Sequence, residues 1–232
     1  MAVKVIDNIE RKEDRKYEFY LPWVDTEVQK MLVKHGHRIS LVPDSGWDIA
    51  LFTGGADICP LLYGEKLHDS SCINVNRDLQ EVAFYKTLHK KRMKVGICRG
   101  GQLLNVMSGG RLWQDVNNHG DKDGHLVKLW NSDDLVRMSS RHHQMMVPAS
   151  DAVMLGFARM STSKISDAFG TRVFSAPGHD PEMLYYEAEH SLCFQPHPED
   201  ADAAETTRVF FEMIDYLWND DYHVEALKDE EW

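Results

Sequence analysis

Met93-Lys94-Val95-Gly96-Ile97-Cys98-Arg99-Gly100-Gly101-Gln102 is the stretch on which the reading of this chain turns. An apolar run of strand type enters a cysteine that has glycine two places before it and two places after it. A helical pattern over residues 102–107 follows and stops at Gly109-Gly110. This is the layout of a nucleophile elbow, in which a turn too tight for bulky neighbours lifts one side chain above the edge of a sheet. The helix N-terminus beyond Cys98 supplies backbone N–H groups and partial positive charge, which favour a thiolate and a developing oxyanion. Taken alone, the same residues also suit a buried structural cysteine.

Outward from this point, short apolar runs alternate with helical patterns. Residues 2–6, 37–42, 49–53 and 192–195 read as strands. Residues 26–35 read as a helix with Val28, Met31 and Leu32 on one face and Gly36 as its stop. Residues 79–89 read as a helix capped by Asn76 or Asp78, and residues 203–218 as a long amphipathic helix. Strands alternating with helices predict an α/β fold, with a mostly parallel central sheet covered on both faces. No linker or repeat divides residues 1–232, so one domain is expected. Sites in such sheets lie at the carboxyl ends of the strands.

Two further motifs sit just past strand ends. In Cys193-Phe194-Gln195-Pro196-His197-Pro198-Glu199, two prolines hold a histidine, and a glutamate follows two residues later. A cysteine nucleophile needs such a base, and the base needs an acceptor to orient it. In Thr53-Gly54-Gly55-Ala56-Asp57, a glycine pair allows backbone N–H groups to approach a substrate; a plain tight turn is the other reading.

The formal charge is −11, from 37 acidic and 26 basic residues, which argues against a nucleic-acid or anionic-membrane partner. Part of the acidic surplus lies at Asp220, Asp221, Glu225, Asp229, Glu230 and Glu231, read as a solvated tail. Cys59, Cys72, Cys98 and Cys193 form no C-x-x-C pair. The first residues, MAVKVIDNIERKED, turn charged too soon for a signal peptide, and no run is long enough to span a bilayer. A cytoplasmic setting is expected. His119 and His125, with Asp121 and Asp123 between them, lack a metal-ligand spacing and read as a structural or solvated loop, so no metal and no cofactor are expected.

Together the three motifs resemble the class I glutamine amidotransferase superfamily, across essentially the whole chain and in the order Cys, His, Glu. The resemblance implies a flavodoxin-like three-layer sandwich. It implies Cys98 as nucleophile, His197 as general base and acid, and Glu199 as the residue orienting His197. It also implies an oxyanion hole from the N–H groups of Gly55 and Arg99 beside Gly54, with Gln102 holding the glutamyl part of the substrate. Gly54-Gly55-Ala56-Asp57-Ile58 with Pro60, Tyr63, Gly64 and Glu65 is similar to the γ-glutamyl hydrolase and γ-glutamyl-γ-aminobutyrate hydrolase branch. So are Arg77-Asp78 and Ser140-Arg141-His142-His143-Gln144, where His142, His143 and Gln144 would line the substrate side. The implied activity is hydrolysis of a small-molecule γ-glutamyl amide. A glutaminase subunit feeding a separate synthetase, a homo-oligomer, and a non-catalytic binding protein on the same fold are the competing readings.

Overall fold

The computed structural model describes residues 15–43, 46–120, 124–130, 135–159, 164–166, 173–175 and 179–218. The strand expected over residues 2–6 and the acidic tail lie outside these. The chain runs β1 (Glu18–Tyr20), α1 (Thr26–Lys34), β2 (Arg38–Ser40), β3 (Ile49–Phe52), α2 (Val75–Thr87), β4 (Met93–Ile97) and α3 (Arg99–Met107). It continues through β5 (Arg111–Trp113), β6 (His125–Leu129), β7 (Leu135–Met138), β8 (Met145–Val147) and β9 (Val153–Ala158). After β10 (Lys164–Ser166), β11 (Val173–Ser175), β12 (Asp180–Tyr186) and β13 (Ser191–Phe194) it closes with α4 (Ala204–Trp218).

Nine strands form one sheet in the order β2-β1-β3-β4-β13-β12-β9-β6-β7. From β2 to β13 all pairings are parallel. From β13 to β7 they are antiparallel. Alternation along β3 shows how both faces are filled: Ile49 and Leu51 enter one core, Ala50 and Phe52 the other. The first core takes Val28 and Leu32 of α1 with Val209, Phe210 and Ile214 of α4. The second takes Tyr85 of α2 with Leu103 and Leu104 of α3. Helices therefore cover both faces, and a parallel strand buried on two sides reads as a continuous apolar run.

α1 starts where Asp25 caps it, its carboxylate accepting from Glu27 N and Val28 N at 3.0 and 3.1 Å. α2 starts four residues earlier than expected, because Asn74, not Asn76 or Asp78, is the cap and accepts from Arg77 N at 3.1 Å. α3 begins at Arg99, immediately after the cysteine.

Candidate active site

β3, β4 and β13 are neighbours, with Phe52 in register with Gly96 and Ile97 with Phe194. Their carboxyl ends therefore reach one rim of the sheet together. Thr53-Gly54-Gly55 follows the first, Cys98 the second, and Gln195-Pro196-His197 the third. Cys98 N donates to the Phe194 carbonyl at 2.7 Å, which locks the elbow to the neighbouring strand.

Cys98 has φ 49 and ψ −110, the positive-φ conformation of a sharp strand-to-helix turn. Packing dictates the flanking glycines. A Cβ at Gly96 would lie 2.3 Å from the Gly100 carbonyl carbon, and one at Gly100 would lie 2.0 Å from the Phe52 oxygen. Strand and helix approach closely only because both positions lack side chains.

Gly54 brings the three motifs together. The place where its Cβ would sit is 3.3 Å from His197 Cε1 and 3.9 Å from Cys98 Cβ. His197 Nδ1 lies 2.6 Å from Glu199 Oε1, so the ring is oriented by the glutamate. Burial disfavours the imidazolium, but hydrogen bonds to Cys98 and Glu199, together with their charges, outweigh it and raise the His197 pKa to about 10. The backbone of His197 is clasped by one hydroxyl: its N–H donates to Ser139 Oγ at 2.7 Å, and Ser139 Oγ donates to its carbonyl at 3.3 Å. Thr207 Oγ1 donates to the Pro198 carbonyl at 2.6 Å.

The glycine loop is braced from below. Arg77 donates to the carbonyl oxygens of Gly54 and Thr53 at 2.7 and 2.8 Å and pairs with Glu81. Arg99 pairs with Asp78 and Glu81 while fully buried. Asp78 also accepts from Cys59 N at 3.0 Å. Two guanidinium groups against two carboxylates balance this buried set. Gly55 has φ +145, and a Cβ there would lie 2.2 Å from Arg77 Nη1, so no other residue fits.

The remaining expected site residues divide. His143 is half-exposed, with Nε2 3.0 Å from Asp57 Oδ2; that hydrogen bond outweighs burial and raises its pKa. Gln102 is buried, and its amide nitrogen is spent on the Gln144 carbonyl and Gln195 Oε1 at 3.2 and 3.1 Å. Gln144 is buried and donates to Ser71 Oγ at 3.2 Å. Gln102 and Gln144 thus spend these amide groups on bonds within the chain. His142 has its ring buried against His119 and Glu182. His119, expected in a structural or solvated loop, is fully buried beside Asp180 and Glu182.

Sequence reasoning missed the roles of Ser139 and Glu81. A serine before the Ser140-to-Gln144 motif carries no signature, whereas Glu81 stands four residues after Arg77 on one helix face, a spacing that could have been read.

Among the described residues, no helix is long and apolar enough to cross a membrane. A candidate GMP synthase component of Thermoplasma acidophilum shares the fold at TM-score 0.59 and 14% identity, over 88% of this chain and 95% of that one. A chain of PurLQS from Thermotoga maritima does so at TM-score 0.55 and 16% identity, over 88% and 100%. These are likenesses of fold, an α/β arrangement around a large sheet. The glutamine amidotransferase-like protein YvdE of Lactococcus lactis subsp. lactis is 44% identical over 84 residues, 34% of each chain. The chain thus spans about a third of the length of that curated relative. The profile of the Peptidase C26 family matches residues 45–166, which include both the glycine loop and the cysteine elbow. With more than half of its residues in that match, the chain belongs to the Peptidase C26 family.

Proposed function

We propose that the protein hydrolyses the γ-glutamyl C–N bond of glutamine or a γ-glutamyl amine, with Cys98, His197 and Glu199 as its triad. The observation that carries this reading is the meeting of Cys98 and His197 across Gly54, with Glu199 2.6 Å behind the imidazole. The Cys98 sulfur attacks the γ-carbonyl carbon and forms a C–S bond. The charge gathering on the carbonyl oxygen is met by the N–H groups of Gly55 and Arg99. His197, held protonated, gives its proton to the leaving nitrogen as the C–N bond breaks. Water then adds to the thioester and gives a proton to His197; the C–S bond breaks and glutamate leaves.

The test is glutamate release from glutamine and a panel of γ-glutamyl amines by the full chain and by Cys98→Ala. Release by the wild type, and its loss in a Cys98→Ala protein that keeps its circular dichroism, support the reading. Release that survives the substitution overturns it.

A second reading, a glutaminase subunit serving a separate synthetase, is favoured by the likeness to a PurLQS chain. It predicts that wild-type turnover stays negligible until a synthetase is added.

A further inference from the structure

β12 carries Glu182 into the antiparallel half of the sheet, where its side chain is completely buried. Three imidazoles converge on one of its oxygens. His125 Nε2 lies 3.0 Å from Glu182 Oε1, His119 Nδ1 3.3 Å and His142 Nε2 3.6 Å. Close as they are, none of these approaches has hydrogen-bond geometry, and all three nitrogens and both Glu182 oxygens are buried without a hydrogen-bond partner among the described residues. Five buried polar atoms left so at one point call for a common partner, since each one costs on the order of 1–3 kcal/mol.

The far sides of two of the rings sharpen this. His119 Nε2 lies 3.0 Å from Asp180 Oδ2, and His142 Nδ1 lies 2.7 Å from the Gln144 carbonyl oxygen. Each of those oxygens is an acceptor and requires a proton on the nitrogen facing it. In a neutral ring the inner nitrogen then presents a lone pair, aimed toward a carboxylate. Lone pair against lone pair is repulsive unless a positive centre stands between them.

We propose that His119, His142 and Glu182 bind one divalent transition-metal ion of the zinc class, with His125 beside the same carboxylate. Donor atoms on a tetrahedral zinc with bonds of about 2.0–2.2 Å stand roughly 3.3–3.6 Å apart, as edges of the tetrahedron. The His119 and His142 nitrogens stand 3.3 and 3.6 Å from Glu182 Oε1, which matches that edge. The ligating atoms of His119, His142 and Glu182 all lie within 4.8 Å of one another. Two imidazoles and one carboxylate select zinc, cobalt or nickel over magnesium or calcium, which prefer oxygen. Asp180 and the Gln144 carbonyl are the outer acceptors that fix the tautomer of a metal-bound histidine. His142 N donates to the His119 carbonyl at 2.8 Å, so the two ligand loops are already tied together.

Three protein ligands leave the fourth position of a tetrahedral ion to water. Its place in the fold gives it something to hold: the Glu182 carbonyl accepts from Gln195 N at 2.8 Å, two residues before His197. The ion would pin β12 behind the loop that carries the candidate base. Nothing in this proposal depends on the reaction assigned to Cys98.

The experiment uses the full chain with Cys98→Ser, so that the thiol at the rim cannot ligate. Chelator-treated protein is titrated with zinc by calorimetry and with cobalt(II) by visible absorption, and its thermal unfolding is followed in parallel. Expected are one ion per chain, the intense visible bands of tetrahedral cobalt(II), and a higher Tm with zinc. Asp180→Asn should weaken binding about tenfold to a hundredfold, and His142→Ala should abolish it. Adding His197→Ala should leave binding unchanged. The proposal is overturned by folded protein that takes up no ion, by cobalt bands of six-coordinate type, or by binding that survives His142→Ala. Binding lost with His197→Ala would assign the ion to the rim and overturn it equally. If His142→Ala does not fold, the cobalt spectrum and the Asp180→Asn series still decide.

Discussion

Arg77 Nη1 donates to the Gly54 carbonyl oxygen at 2.7 Å and so ties the loop beside Cys98 to a buried guanidinium on α2. The same guanidinium reaches the Thr53 carbonyl and Glu81, and stacks over Trp23 at 5.2 Å. One side chain sets where the glycine N–H groups stand.

Arg77→Met should therefore cost about 3–5 kcal/mol, since it leaves two carbonyls without their donor and two buried carboxylates facing the single guanidinium of Arg99. Urea unfolding measures this. Arg77→Lys keeps the charge without the planar fork, so it should recover part of the stability but little of the turnover. Equal turnover in Arg77→Lys and wild type would contradict a positioning role.

Glu199→Gln should lower glutamate release by roughly 10²–10⁴-fold with little change in KM, because the amide cannot hold the imidazole in the same protonation state. The His197 ring resonances should titrate at lower pH in this variant. A rate within threefold of wild type would remove Glu199 from the triad.

The raised pKa of His197 has a thermodynamic counterpart. Cys98 and Glu199 lift it from 6.5 to about 10 against the opposing effect of burial, and Asp200 also faces the ring. A histidine that holds its proton more tightly when folded stabilises the fold fully below the unfolded pKa. That contribution is lost as pH rises from about 6.5 through about 10. Unfolding free energies of wild type and His197→Gln, measured from pH 6 to 10.5, should therefore converge as pH climbs. A gap that stays constant would mean that the ring is neutral in the fold.

The parallel half of the sheet was legible because strands buried on both faces show as unbroken apolar runs; MKVGI and IALF are such runs, and Met93–Ile97 is β4 residue for residue. The elbow was legible because its glycines answer to a steric demand, written at fixed offsets from Cys98. The antiparallel half was not. β7 is four residues, too short for a period to show, HLVKL in β6 alternates over a single strand length with a charge in it, and DPEMLYY in β12 opens on Asp, Pro and Glu. The start of α2 was misjudged because Asn74, Asn76 and Asp78 are all chemically able to cap, and only the fold selects Asn74. Arg77, Asp78 and Glu81 are all charged, yet they are buried because Arg99, on the next helix, joins Arg77 in balancing the two carboxylates. The burial of His142 was hidden for the same reason, since it packs against Glu182, 40 positions on, and His119, 23 positions back.

The φ of 49 at Cys98 sets the order of two variants that both lack sulfur. Alanine keeps a Cβ in a conformation that costs a side-chain-bearing residue roughly 1–2 kcal/mol, whereas glycine adopts it freely. Cys98→Gly should therefore melt above Cys98→Ala, the reverse of the ranking seen wherever the backbone is helical or extended. The proposed nucleophile thus stands at a position where this protein would gain endurance by giving up a side chain.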